Sequence, residues 1–425
     1  MSARAGIVVT GTEVLTGRVA DRNGPWLAEQ LRQLGVDVAH VVVVGDRPAD
    51  LRAALEFLAG TGTDLIVTTG GLGPTADDLT AEVVGDVQGR AMRLDPPLQS
   101  HIAAIVERLS RDRGWRMDPA ATAAATEKQA MVPVGAQVLQ PTGTAPGLVV
   151  PAALGSAGPP VVVLPGPPSE LQAMWPAVLD SALVQAALAE RAELHQRTVR
   201  MWGVPESELA ATLRTLSGQL DGLEITTCLR SGELEVVTRF GRDHQARYDT
   251  LVAALQQAHG NSVFSTHGAE VDELVAAALD ERGWRVGTAE SCTGGLLAAR
   301  LTDPPGSSVR VLGAVVAYAN EVKTSALGVP AELIGSVGAV SAEVAVAMAA
   351  GVRSRLGAEV GVSVTGVAGP GGGSPDKPVG GVHVCVQTPE TTVHRQLQVP
   401  GSRVDVRART VRICLQLLLE STTTN

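Results

Sequence analysis

Trp284-Arg285-Val286-Gly287-Thr288-Ala289-Glu290-Ser291-Cys292-Thr293-Gly294-Gly295-Leu296-Leu297-Ala298-Ala299-Arg300-Leu301 changes character twice along its length. Its first residues form a short apolar run, the middle is small and polar, and Leu296–Leu301 returns on a helical period. Strand, tight turn and helix in that order is the unit from which α/β sheets are wound. The turn aims side chains and backbone N–H groups at one point. There a helix N-terminus stabilises an anion, or a carbonyl oxygen becoming an oxyanion. Ser291 and Cys292 are candidate nucleophiles at that point. The plainer alternative is that Ser291 or Thr293 only caps the helix.

The sequence around this unit continues the pattern. Strands are expected at Arg285–Ala289, Val311–Ala317, Val360–Thr365 and Gly381–Gln387, with helices at Val271–Glu281, Ser341–Leu356 and Ser402–Leu419. The first third alternates likewise, with strands at Gly6–Thr10, Val38–Val44 and Asp64–Thr69 and helices at Gly24–Leu34, Pro48–Gly60 and Asp78–Val87. That is a βαβαβ pattern with right-handed crossovers. Strand Val161–Leu164 is expected to close this domain, and Pro165-Gly166-Pro167-Pro168 leads into a helix near Ser169–Leu188. Between the halves, residues 190–265 read as a small α+β unit. The fold class is therefore α/β: two unrelated α/β domains with mainly parallel sheets, joined by a small α+β spacer. The expected domains are residues 1–170, 171–265 and 266–425.

Composition narrows the function classes. A chain of 425 residues exceeds one ordinary core, and its net charge of −10 disfavours nucleic acid or an anionic membrane as partner. No apolar run reaches membrane-spanning length, and Cys228, Cys292, Cys385 and Cys414 show neither metal-ligand nor disulfide spacing. A cytoplasmic location is expected. Of 34 basic residues only Lys128, Lys323 and Lys377 are lysines. Where arginine serves nearly every solvated charge, a lysine marks a place where a titratable amine has a use.

Two constellations carry chemistry. After strand Asp64–Thr69 comes Gly70-Gly71-Leu72-Gly73-Pro74-Thr75-Ala76-Asp77-Asp78. Gly70, Gly71, Gly73 and Thr75 at a strand's carboxyl end let backbone amides approach a phosphate. Glu13, Asp46, Asp77 and Asp78 follow three strands whose carboxyl ends face one crevice, so they are expected to converge on a divalent cation. In the last third, Tyr318-Ala319-Asn320-Glu321-Val322-Lys323 and Thr365-Gly366-Val367-Ala368-Gly369-Pro370-Gly371-Gly372-Gly373 end two further strands beside the Ser291 turn. Gly366, Gly369 and Gly371 are expected to form a second phosphate loop, with Thr293 and Gly294 on the substrate side. A serine attacking an amide needs a base. His383 lies inside a strand, which leaves Lys323, kept neutral by burial, and Tyr318 to relay a proton or orient the substrate.

These segments resemble a known family. GGLGPTADD at Gly70–Asp78, Gly11-Thr12-Glu13, Glu127–Gly147 and Leu164–Glu170 look like the molybdopterin-binding-like domain of the CinA (competence/damage-inducible protein) family. The resemblance implies ADP-ribose pyrophosphatase activity dependent on a divalent metal (Mg, Mn or Co). Asp21-Arg22-Asn23 departs from it, with arginine where a small residue is usual. Residues 190–265 resemble the family's KH-like spacer. Gly203-Val204-Pro205-Glu206 lacks the second glycine of an RNA-clamping GxxG loop, which favours spacing or dimerisation. AESCTGG at Ala289–Gly295, YANEVK at Tyr318–Lys323, GAVSAEVA at Gly338–Ala345 and TGVAGPGGG at Thr365–Gly373 are similar to its nicotinamide-nucleotide amidase domain. That implies metal-free deamidation of nicotinamide mononucleotide to nicotinate mononucleotide and ammonia, within pyridine-nucleotide salvage. It implies Ser291 as nucleophile with Tyr318 and Lys323 as its activating partners. Thr365, Gly369 and Arg403 fall on the substrate side, and a homodimer is implied. Ser402 stands before Arg403 where an aspartate is usual. The alternative from another class is a regulatory protein that holds a nucleotide or pterin without turnover.

Overall fold

A computed structural model describes residues 2–423 apart from Trp115, Ala153, Leu154, Ser156, Ala157 and Ser231. The chain forms two compact units, Met1–Gln196 with Phe240–Asp243, and Arg197–Arg239 with His244–Asn425. Both are mixed α/β, as the alternation predicts.

The first unit is built on a six-stranded sheet in the order Asp37–Val44, Arg4–Thr10, Leu65–Thr69, Val161–Leu164, Gly147–Val150, Gln137–Leu139. Its first four strands run parallel and the last two are antiparallel additions. Val161–Leu164, the last strand of this sheet in chain order, lies inside it, between Leu65–Thr69 and Gly147–Val150. The strands Gly147–Val150 and Gln137–Leu139 are too short to show a period in sequence. Core residues Ile7, Val67, Val162 and Leu164 face one layer, and Val8, Ile66, Val161 and Val163 the other. The helix expected near Ser169–Leu188 is two helices, Pro168–Leu179 and Ala182–Ala187. The first sends Leu171, Met174, Trp175 and Val178 into this unit's core.

In the second unit a five-stranded sheet runs Val311–Val316, Val286–Glu290, Val360–Gly366, Gly381–Gln387, Thr392–Gln398. The first three strands are parallel, so their carboxyl ends lie side by side, and the last two are antiparallel. Helix Ala342–Leu356 packs through Val344, Met348 and Val352 against Ala289 and Ala317. The C-terminal helix Arg403–Thr423 packs through Val406, Cys414, Leu417 and Leu418 against Val362, Val364 and Val384. A four-stranded sheet, Leu223–Arg230, Glu233–Gly241, Leu194–Trp202, Val263–Ser265, with helices Glu206–Thr215 and Gln245–His259 forms the expected α+β element. Among the described residues no helix is long and apolar enough to cross a membrane.

The C-terminal helix also carries a buried ion pair. Glu233 is 2% exposed, and its carboxylate lies 2.5 Å from Arg412 Nη1 and 3.9 Å from Arg200 Nη1. Removing one partner of such a pair strands the other charge out of water. Arg412→Met is therefore expected to cost about 3 kcal/mol in urea unfolding. An unchanged midpoint would show that Arg200 alone satisfies Glu233.

Candidate functional site

The strand Val286–Glu290 delivers the heptapeptide to the sheet edge, and Glu290 decides its shape. Its side chain is fully buried, and its carboxylate accepts hydrogen bonds from the N–H groups of Gly295 (2.9 Å), Leu297 (3.1 Å) and Ala298 (2.8 Å), and from the Thr288 hydroxyl (3.3 Å). The anion at this helix N-terminus is therefore the chain's own. This corrects the expectation that those amides face a substrate oxyanion. A buried carboxylate must recruit donors, and the first turn of helix Leu296–Thr302 supplies them. The chain can double back onto Glu290 because Gly294 (φ +61) and Gly295 (φ +95) are left-handed.

Ser291, 9% exposed, faces Lys323, which is 1% exposed. Lys323 Nζ lies 3.3 Å from Ser291 Oγ, 2.9 Å from the Ala317 carbonyl and 3.2 Å from the Tyr318 carbonyl. Nζ thus donates toward three oxygens, two backbone carbonyls and the serine hydroxyl. Were the amine neutral, with two N–H donors and one lone pair, the carbonyls would take the donors and the serine hydroxyl would face the lone pair. Burial holds the Lys323 ammonium below the usual lysine range, against the opposing pull of Cys292 and Glu321. Cys292 is excluded as a ready nucleophile: it sits in the apolar core, and burial pushes its thiol up to about 11. His383 lies within strand Gly381–Gln387, 3.0 Å from the ring of His394.

The remaining predicted residues divide. Arg403 donates from Nη1 to the Gly369 carbonyl (2.9 Å) and from Nη2 to Tyr318 Oη (3.0 Å), joining the glycine loop to the tyrosine. The Tyr318 ring is 59% exposed and its hydroxyl pairs with Arg403, so what it gives Lys323 is its backbone carbonyl. This departs from the expected proton relay. Thr365 is fully buried and its hydroxyl donates to the Ala339 carbonyl (2.7 Å), tying down the loop before helix Ala342–Leu356. Thr293 is also fully buried, its hydroxyl without a partner, so its side chain does not face a substrate. Gly366 lies against the Gly381 carbonyl, whereas Gly371 stands open to solvent. Before Arg403, Ser402 donates N–H and hydroxyl to Asp405, which supplies an aspartate from inside the helix.

Sequence reasoning missed Glu290 and Arg407. Arg407 donates to the carbonyls of Cys292 (Nε, 3.1 Å) and Thr293 (Nη2, 2.8 Å). An acid ending an apolar strand, and arginines four apart on one helix, were the available signals.

The N-terminal constellation does not assemble as expected. Among the described residues no group of three or more His, Cys, Asp or Glu is placed to hold a metal ion. Glu13 lines a cavity of about 520 Å³ with Thr10, Asp21, Asn23 and Gly166, whereas Asp46 and Asp77 flank a different, minor hollow beyond Thr10. The carboxylates are also occupied. Asp46 accepts from Thr12 N–H (2.8 Å), and Asp78 from the N–H (2.9 Å) and hydroxyl (2.5 Å) of Thr75, a hydroxyl also 2.5 Å from Asp77. The glycines meet the chain itself: a Cβ on Gly70 would strike the Thr10 carbonyl, on Gly71 the Thr80 hydroxyl, and on Gly73 the Asp78 carboxylate. Lys128 Nζ holds the Thr75 carbonyl and Gln129 the Leu72 carbonyl. The acids as they stand do not fit a divalent metal.

Comparison with known proteins follows the same division. A family described as "CinA C-terminal domain" matches residues 268–422, and one described as "Probable molybdopterin binding domain" matches residues 6–185. A CinA-like protein of Mycolicibacterium gilvum (strain PYR-GCK) is 56% identical over 422 residues, 98% of each chain. Another of Mycobacterium tuberculosis (strain CDC 1551 / Oshkosh) is 53% identical over 98% of this chain and 97% of its own. Among solved structures, competence/damage inducible protein CihA of Agrobacterium tumefaciens is 38% identical, covering 38% of this chain and 100% of that one, with a TM-score of 0.35. With more than half of its residues shared along nearly the full length of such relatives, the chain belongs to the CinA family.

Proposed function

We propose that the second unit is a serine amidase acting on nicotinamide mononucleotide. The observation that carries this reading is the buried Lys323 amine, seated on two backbone carbonyls with Ser291 Oγ 3.3 Å away. Ser291 Oγ attacks the amide carbon while its proton passes to Lys323 Nζ. The C–N bond then breaks, the proton goes from Lys323 to the departing ammonia, and water hydrolyses the acyl-serine to the carboxylate. Arg403, at the rim beside the glycine loop, is the cation for the ribose phosphate.

Ammonia release from nicotinamide mononucleotide tests the assignment. Ser291→Ala is expected to lose about 10³-fold or more in kcat, while Cys292→Ala keeps turning over. The reverse result would assign the chemistry to the thiol.

The rate should rise with pH as Lys323 loses its proton and then level off, because the neutral amine is the base. The lowered folded value also means that the unfolded chain binds this proton more readily, so stability rises with pH up to the ordinary lysine value. Lys323→Met is therefore expected to melt no lower than wild type at neutral pH, yet to lose about 10²–10⁴-fold in kcat. A variant that melts well below wild type would argue against a base held neutral by burial.

For the first unit, the same geometry favours ligand binding without metal-dependent turnover. Asn23 is 7% exposed, its Nδ2 donates to Thr69 Oγ1 and the Gly166 carbonyl, and its Oδ1 has no partner while the residue lines the 520 Å³ cavity. Turned into the cavity by rotation about the Asn23 side chain, that buried oxygen would accept an N–H of a nucleotide or pterin base. Calorimetry with ADP-ribose should show the same affinity with and without chelator. Strictly metal-dependent AMP formation would overturn this reading.

A further inference from the structure

The Ser291 turn is gripped from two sides by residues that touch neither Ser291 Oγ nor Lys323 Nζ. From inside, Glu290 holds the N–H groups of Gly295, Leu297 and Ala298. From the C-terminal helix, Arg407 holds the carbonyls of Cys292 and Thr293. We infer that Arg407 is a positioning residue for Ser291, acting through the two peptide planes it binds. The inference rests on the amidase reading of this site.

In a trans peptide the C=O and N–H point in opposite directions. Fixing the Cys292 carbonyl turns the Thr293 N–H away from the helix. Fixing the Thr293 carbonyl turns away the Gly294 N–H, which donates to the Ser291 carbonyl at 3.1 Å. The orientation of the residues after Ser291, and through them of Ser291, is thus fixed on the carbonyl side by this guanidinium, as Glu290 fixes it on the amide side. Charge pairing does not explain this arginine: among the described residues it forms no ion pair, and these two carbonyls take its side-chain hydrogen bonds. Close approach is possible because position 294 is glycine, whose Cβ would lie 3.3 Å from Arg407 Nη2. Lysine cannot substitute, because a point charge on a flexible stem does not reproduce the planar fork that spans two acceptors.

The site departs from productive geometry once the turn is free to rock, and a misplacement near 1 Å costs about 10²-fold. Arg407→Met and Arg407→Lys in the full chain are expected to lower kcat about 10- to 100-fold with KM within about twofold. The pH at which the rate levels off should not move, because the surroundings of Lys323 are unchanged. Millimolar methylguanidinium should restore part of the activity of Arg407→Ala. A second readout needs no amide: sulfonylation of Ser291 by phenylmethylsulfonyl fluoride, followed by intact mass, should slow by the same factor. Arg407→Lys turning over or being sulfonylated at the wild-type rate overturns the inference, as does a shift in the pH profile alone. If Arg407→Met fails to fold, Arg407→Lys, which keeps the charge and the stem, decides. A wild type sulfonylated in an Arg407-dependent way that releases no ammonia would sink the amidase reading and leave the positioning role standing.

Discussion

Glu290 keeps its carboxylate entirely out of water, and the geometry of the second unit's site follows from how that group is satisfied. A buried carboxylate without a cation needs several donors, and the nearest unpaired ones are the first amides of the following helix. To bring them within reach the chain must turn back over itself between Ser291 and Gly295, which only left-handed glycines allow without strain. Ser291 is carried to the crest of that turn, beside the carboxyl ends of two parallel neighbours. The strand ending in Val316 brings Ala317, Tyr318 and Lys323, and the one ending in Gly366 brings the glycine loop. The placement of Ser291 is thus a by-product of capping a helix with an internal acid.

The C-terminal helix serves the same site from outside. Arg403 joins the glycine loop to Tyr318, Arg407 holds the nucleophile turn, and Arg412 reaches the buried Glu233. One helix therefore spans from the sheet edge that carries Ser291 to the α+β element of the same unit. Its apolar face, with Val406, Leu417 and Leu418, is fixed in the core, so the arginines on it have little freedom. The turn that carries Ser291 is thus held from outside by a helix that touches neither Ser291 Oγ nor Lys323 Nζ.

The three lysines make the case for reading composition chemically. Each places its amine on a backbone carbonyl: Lys323 on Ala317 and Tyr318, Lys377 on Val337 at the end of helix Ala331–Val337, Lys128 on Thr75. Only at Lys323 does the pocket also remove water from the amine and offer a hydroxyl. The lysines therefore mark places where a compact donor seats backbone carbonyls, and burial together with the Ser291 hydroxyl sets Lys323 apart from the other two.

The alternation of strand and helix, the carboxyl-end placement of Ser291 and Lys323, and the packing of His383 within a strand were legible from residue order, because period and strand direction are local properties of the chain. The short strands Gln137–Leu139, Gly147–Val150 and Thr392–Gln398 were not, since pairing with neighbours defines them more than any pattern of their own. The same difference separates the two constellations. Acids after three strands were rightly placed near one sheet edge, but sequence cannot say whether carboxylates face each other or turn onto their own loops. Asp46 and Asp78 turn onto Thr12 and Thr75, because nearby amides satisfy them at less cost than mutual repulsion allows. Sequence by itself determined which residues arrive at the edge. Only the tertiary structure decided which of Ser291 and Cys292 faces the Lys323 amine, because side-chain direction and packing belong to the folded core and to no residue alone.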